Sequence, residues 1–187
     1  MAECSVMIAL SAVLSFIPVF KAPFGGSVTL LSQLPPVILS YRYGVKTGMR
    51  AGLVLAVIQL IIGLGNFSYV NGIGQYAILA FFDYIAAFSC LGAGGFFRKV
   101  FSKQTPALVC AGAFVSLIRF VCHFISGVTI WSGYAEDTPV VIYSLTYNGS
   151  YMIPELIMTV IGALVLGSLL DFSGDVIKPL KKKGKTE

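Results

Sequence analysis

Apolar residues run along this chain in six stretches, about 4 to 20, 28 to 43, 47 to 65, 74 to 97, 106 to 130 and 149 to 170, separated by short polar gaps. These runs are longer than the helices of a soluble domain require, and they predict membrane-crossing helices. A helix rises about 1.5 Å per residue, so a hydrocarbon core of about 30 Å takes about 20 residues. The first two stretches are short for a straight crossing. Pro18, Pro35 and Pro36 predict that they tilt, bend or rely on neighbours for shielding. The expected fold is all-α, with six transmembrane helices in one unit spanning residues 1–187.

Composition agrees with the pattern. Hydrophobic residues make up 57% of the chain and charged residues 11%, against roughly 25% charged in an ordinary soluble domain. A soluble enzyme is therefore excluded. The net charge of +5 would suit a nucleic-acid surface, but the placement of the charges argues for topology instead. With six crossings, both termini share a side. Arg42, Lys46, Arg50, Arg98, Lys99, Lys103, Lys178, Lys181, Lys182, Lys183 and Lys185 then gather on one face. The other face carries Lys21, no charge between Asn66 and Gln75, and the acidic Glu136 and Asp137. The excess of positive charge predicts that both termini are cytoplasmic in a multi-pass plasma-membrane protein, with the lipid bilayer as partner and no nucleic acid.

The segment before the first stretch has Glu3 and no basic residue, unlike a signal peptide. Cys4, Cys90, Cys110 and Cys122 lie in or beside apolar stretches without paired spacing and read as small packing residues. There is one histidine, so zinc-type ligation is not expected, and neither is any cofactor.

Charges within spans are costly and mark function by default. Asp83 stands in the fourth stretch, Arg119 in the fifth and Glu155 in the sixth; His123 follows Arg119 by four residues on the same helical face. Counted from the outer helix ends, all four sit about 9 to 17 Å deep. A shared depth on three helices predicts a single cavity open to the outside. The less favoured alternative is an interhelical ion pair of Asp83 and Arg119, and Glu155, next to Pro154, could be structural. The fifth loop adds Trp131, Tyr134, Tyr143 and Tyr147 among Ser132, Ser144, Asn148 and Ser150. Trp131 is either an interfacial belt residue or part of an aromatic wall for a flat or cationic ligand.

No P-loop, dinucleotide fingerprint, nucleophile elbow or metalloprotease motif is present, so the chain is not expected to be an enzyme or to use ATP itself. It also shows no convincing internal repeat of the kind many secondary carriers have. A small binding subunit that borrows energy from partners fits better; an ion-coupled carrier using Asp83, Arg119, His123 and Glu155 as a relay is the alternative from another class.

The sequence from Arg119 through His123 to Gly127, then Trp131, then Tyr143 through Asn148 to Glu155, closely resembles the signature of the thiamine-specific substrate-binding (S) components of energy-coupling factor (ECF) transporters. Asp83-Tyr84 is similar to the acidic-Tyr motif of that family, and the likeness extends to Ser15–Pro18 and Gly25–Thr29. The resemblance implies a six-helix protein that captures thiamine from outside and then associates with a transmembrane coupling (T) subunit and two cytoplasmic ATPase subunits. It implies a ligand site of Asp83, Tyr84, Arg119, His123, Trp131, Tyr143 and Asn148. Another vitamin or a thiamine precursor is the alternative ligand. Thiamine pairs a permanently cationic thiazolium with an aminopyrimidine, which suits a carboxylate such as Asp83 and ring faces such as Trp131 and His123. On the first helix, Ser5, Ala9 and Ala12 form a small-residue stripe that the resemblance assigns to the coupling subunit; internal packing explains the spacing equally well. Ser11 and Ser15 are likewise four apart.

Overall fold

The computed structural model describes residues 2–180, so Lys181, Lys182, Lys183 and Lys185 lie outside the described residues. Helices dominate it: α1 (Ala2–Ser15), α2 (Leu34–Tyr43), α3 (Val45–Ile62), α4 (Ile73–Val100), α5 (Gln104–Thr129) and α6 (Val140–Leu169). Among the described residues, four of these, α3 to α6, are long and apolar enough to cross a membrane. Their outer faces are greasy: Leu53, Val57, Phe81, Leu117, Val121, Ile157, Ile161 and Leu164 are all exposed. Such a belt is a liability in water and the normal state in lipid.

α2 departs from the expected near-crossing stretch. Only residues 34–43 of stretch 28–43 are helical, a length of about 15 Å, and every residue from Leu34 to Arg42 is buried. α1, α3, α4 and α5 surround it, so the helix need not reach both lipid interfaces. Pro35 and Pro36 fall in its first turn, where a missing N–H breaks no helical bond. Gly44, at φ 88°, makes the turn into α3 that a side chain would resist.

The all-α expectation needs a second correction. Residues after Ser15 leave the helix and form β1 (Pro18–Lys21), which pairs antiparallel with β2 (Ser27–Thr29). Pro18 pushes Ile17 towards extended backbone and cannot continue the helix. A shorter antiparallel pair, β3 (Leu170–Asp171) with β4 (Lys178–Pro179), follows α6. The sixth helix also begins earlier than expected, at Val140 rather than near 149. Its first turns are amphipathic: Ser144 and Asn148 are buried while Val141, Ile142 and Leu145 face outward.

The alternate loops gather at opposite ends. At one end Arg42 pairs with Glu3 at 2.6 Å and donates to the carbonyls of Phe172 and Asp175, while Arg98 donates to the carbonyls of Tyr41 and Arg42. These bonds place the start of α1, the α2–α3 turn, the end of α4 and the segment after α6 together. At the other end the Phe24 ring meets Tyr69, Trp131, Tyr134 and Tyr147, joining the first, third and fifth connections.

Close backbone approach holds α2, α3 and α4. The Ser40 hydroxyl donates to the Gly92 carbonyl and accepts from Gly95 N–H. A Cβ added to Gly92 would stand 2.0 Å from the Met49 nitrogen. Small residues at membrane helix crossings allow this proximity.

Candidate functional site

Asp83 and Tyr84 lie on a π-helical turn, Leu79–Ala86, inside α4. Such wide turns recur at functional sites, and here two consecutive side chains line one cavity. The Asp83 carboxylate is heavily engaged. Its Oδ1 is 2.9 Å from His123 Nδ1, and its Oδ2 accepts from the Ser126 hydroxyl at 2.7 Å and the Trp131 indole N–H at 3.2 Å. The alternative of an Asp83–Arg119 ion pair is not what forms; Asp83 pairs with His123 instead. With Nδ1 donating to the carboxylate, Nε2 is left buried without a protein partner among the described residues. Tyr84 donates to the Gly63 carbonyl at 3.1 Å and accepts from Asn66 at 2.9 Å, which anchors the end of α3 against α4.

The cavity encloses about 370 Å³, within the range of small-molecule sites. Asp83, Tyr84 and Phe88 of α4, Arg119 and His123 of α5, and Tyr147, Asn148 and Tyr151 of α6 form its walls together with Trp131. The β1–β2 hairpin contributes Lys21, Ala22 and Phe24–Ser27. The hairpin is fitted tightly. Phe24 and Gly25 take φ values of 59° and 99°, Tyr147 donates to the Pro23 carbonyl, and a Cβ on Gly26 would come within 2.6 Å of the Tyr151 ring. Tyr151 in turn donates to Asn148 Oδ1 at 2.6 Å, and Asn148 donates to the His123 carbonyl at 3.2 Å. The result is an aromatic box with a carboxylate on one wall, a shape and charge suited to a flat cation.

Arg119 stands at the depth of Asp83, and Glu155 lies deeper. Measured from the helix ends nearest the aromatic cluster, Asp83 and Arg119 are each ten residues in, about 15 Å, whereas Glu155 is fifteen residues from Val140, about 22 Å. The expectation that all four ionisable groups share one depth fails for Glu155, because α6 starts earlier than its polar sequence suggested. Glu155 accepts from the Thr29 N–H at 2.5 Å and the Thr29 hydroxyl at 2.7 Å. It lines a side cavity of about 50 Å³ that also touches Arg119, Ser32 and Gln59. The Arg119 guanidinium lies 4.5 Å from the centre of the Phe88 ring.

Of the residues named from sequence, Asp83, Tyr84, Arg119, His123, Trp131 and Asn148 meet at the main cavity. Tyr143 is not among its lining residues; it stacks on Tyr147, with ring centres 5.9 Å apart. The sequence reading missed Ser126, Asn66, Phe24 and Tyr151. Ser126 could have been found, since it stands three residues after His123 on the same helical face; the others arrive by tertiary folding. On α1, Ser5 and Ala9 are exposed and Ala12 is half-buried, so the small-residue stripe looks outward. Ser11 instead turns inward and donates to the Ser32 carbonyl at 2.5 Å, and Ser15 accepts from Gln59 at 2.7 Å.

Comparison with known proteins follows the same lines. A solved structure of ThiT from Listeria monocytogenes superposes with a TM-score of 0.69 at 24% identity, covering 89% of this chain and 91% of that one; this likeness concerns the fold. The thiamine transporter ThiT of Bacillus subtilis (strain 168) is 34% identical over 171 residues, covering 85% of both chains. The thiamine transporter ThiT of Lacticaseibacillus paracasei is 28% identical over 197 residues, covering 98% of this chain and 92% of the relative. The model of the thiamine transporter protein family matches residues 1–171. The chain thus belongs to the thiamine transporter family of membrane proteins and is a transporter rather than an enzyme.

Proposed function

We propose that this protein is the thiamine-binding S component of an ECF-type importer, capturing thiamine from the extracellular side and delivering it with a separate ATPase module. The observation that carries the reading is the aromatic box around Asp83. The thiazolium and aminopyrimidine rings are flat, and one is a permanent cation, so ring walls and a carboxylate answer both needs. In this reading Asp83, Tyr84, Arg119, His123, Trp131 and Asn148 contact the vitamin, and Tyr143 supports Tyr147 from behind. The relatives in Bacillus subtilis and Lacticaseibacillus paracasei, both named thiamine transporters, support the ligand.

The topology proposed has six crossings with both termini cytoplasmic. The basic residues around Arg42 and Arg98 mark the inner end, and the cavity opens at the outer end. The exposed Ser5–Ala9 face of α1 is the surface offered to the T subunit, and the chain has no nucleotide motif of its own, so two ATPase subunits supply the energy.

Titrating purified protein with thiamine at submicromolar concentration should change Trp131 emission, with no competition from riboflavin or biotin. A silent response in both fluorescence and direct binding would refute the ligand. In proteoliposomes, uptake should require the T subunit, the ATPases and ATP. Uptake by the chain alone under a pH gradient would replace the ECF reading with an ion-coupled carrier. Ala9→Trp should abolish uptake while thiamine binding persists; loss of binding would make the face internal.

A further inference from the structure

Arg119 is a buried cation with no counter-ion in contact. It is 8% exposed, forms no ion pair among the described residues, and its Nε lacks a hydrogen-bond partner. The Phe88 ring at 4.5 Å offsets its charge only in part. Uncompensated buried charge is costly, so the arrangement calls for a negative group nearby. Asp83 is not in ion-pair contact with it, since its oxygens are bonded to His123, Ser126 and Trp131, although its charge still acts on Arg119 at longer range.

Glu155 shares the small side cavity with Arg119 and is 2% exposed. Both of its oxygens accept hydrogen bonds from Thr29, the pattern of a carboxylate. It stands beyond ion-pair distance from Arg119, but charges interact over longer range in a poorly screened interior. Without Glu155, the buried charges of Asp83 and Arg119 would cancel, leaving no net attraction for a cation.

We infer that Glu155 is a specificity-determining residue: across the side cavity it offsets Arg119, so that the ligand cavity prefers a cationic ring to a neutral ring of the same shape. This rests on the thiamine reading above. Glu155 touches no part of the main cavity, so it acts on the ligand through the balance of charge. The rival role is purely mechanical, with Glu155 pinning β2 to α6 through Thr29.

The two roles separate with a pair of ligands: thiamine, and its neutral thiophene isostere, in which carbon replaces the quaternary nitrogen. Calorimetric dissociation constants are measured for both ligands with the wild type, Glu155→Gln, Glu155→Asp and Arg119→Gln. Glu155→Gln retains an acceptor for Thr29 and removes the charge. It should weaken thiamine by about tenfold or more while the isostere changes by less than about threefold. Glu155→Asp should restore most of the preference for the cation. Arg119→Gln should move the ratio the other way, raising the preference for thiamine over the isostere whatever it does to both affinities.

Equal weakening of the two ligands by Glu155→Gln would assign the mechanical role and overturn the inference, as would no change in either. If Glu155→Gln does not fold, Arg119→Gln decides alone: a ratio unchanged or lowered overturns it. Wild-type protein that fails to bind thiamine would sink the thiamine reading and this inference together. Wild-type binding with an unaltered ratio in the variants would sink the charge role only.

Discussion

Replacing Asp83 by Asn tests the centre of the site with a change of almost no volume. The carboxylate accepts from His123 Nδ1 at 2.9 Å, Ser126 Oγ at 2.7 Å and Trp131 Nε1 at 3.2 Å. An amide supplies one oxygen and one NH₂. If the NH₂ takes the Oδ2 position it confronts the indole N–H, which can only donate; in the Oδ1 position it forces His123 to exchange its tautomer. Either way a buried donor is left without a partner, the indole N–H in the first case and the new His123 Nε2–H in the second, and the negative charge facing a cationic ligand disappears. A hydrogen bond to a charged group contributes about 1.5 to 3 kcal/mol, so the dissociation constant for thiamine should rise by about tenfold to 150-fold. Trp131 is the sole tryptophan and is bonded to the altered group, so its emission reports the titration directly. Calorimetry gives the independent constant, and thermal melting of the empty variant establishes that it folds. A normally melting Asp83→Asn protein whose affinity stays within about twofold of wild type would show that this carboxylate does not meet the ligand.

Three other perturbations probe the scaffold. Gly26→Ala places a Cβ 2.6 Å from the Tyr151 ring at an ordinary φ of −61°, so its cost is steric; thiamine affinity should fall at least about fivefold, and unchanged calorimetry would mean the hairpin does not sit so tightly. Gly92→Ala drives a methyl into the Met49 backbone and should cost about 1 to 3 kcal/mol, read as a lower midpoint in thermal size-exclusion profiles; an unchanged midpoint would reject the close α3–α4 approach. Arg42→Met cuts the Glu3 ion pair and two carbonyl bonds at the end remote from the cavity. It should lower stability by about 2 kcal/mol and leave the thiamine dissociation constant unchanged; weakened binding in folded protein would show that the two ends are coupled.

Much of the protein was legible in one dimension because the bilayer imposes a one-dimensional rule. Apolar runs of sufficient length must be buried in lipid or protein, and this located the spans near α3 to α6 together with the separation of basic from uncharged loops. Ionisable residues inside those runs stand out because they are expensive, so Asp83, Arg119 and His123 were visible before any coordinates. Helical spacing also put Arg119 and His123 on one face. Trp131 and Asn148 were candidates from residue type in the fifth loop, and the family signature gathered them into the ligand set.

What remained was decided in three dimensions. Hydropathy could not tell that α6 begins at Val140, because Ser144 and Asn148 look like loop residues until a buried polar cavity exists for them to face. It could not tell that residues 18–29 fold back as a hairpin, since strand pairing there depends on partners elsewhere in the bundle: Tyr147 grips Pro23 and Glu155 grips Thr29 across more than a hundred residues of sequence. Choosing among partners for a charge was equally out of reach. Sequence places Asp83 and Arg119 at similar depth, yet the π-helical turn of α4 directs the carboxylate to His123, Ser126 and Trp131 and leaves Arg119 to Phe88 and the side cavity. Depth along a helix axis follows from counting residues, whereas direction around that axis and the identity of a neighbour are set only when the helices pack.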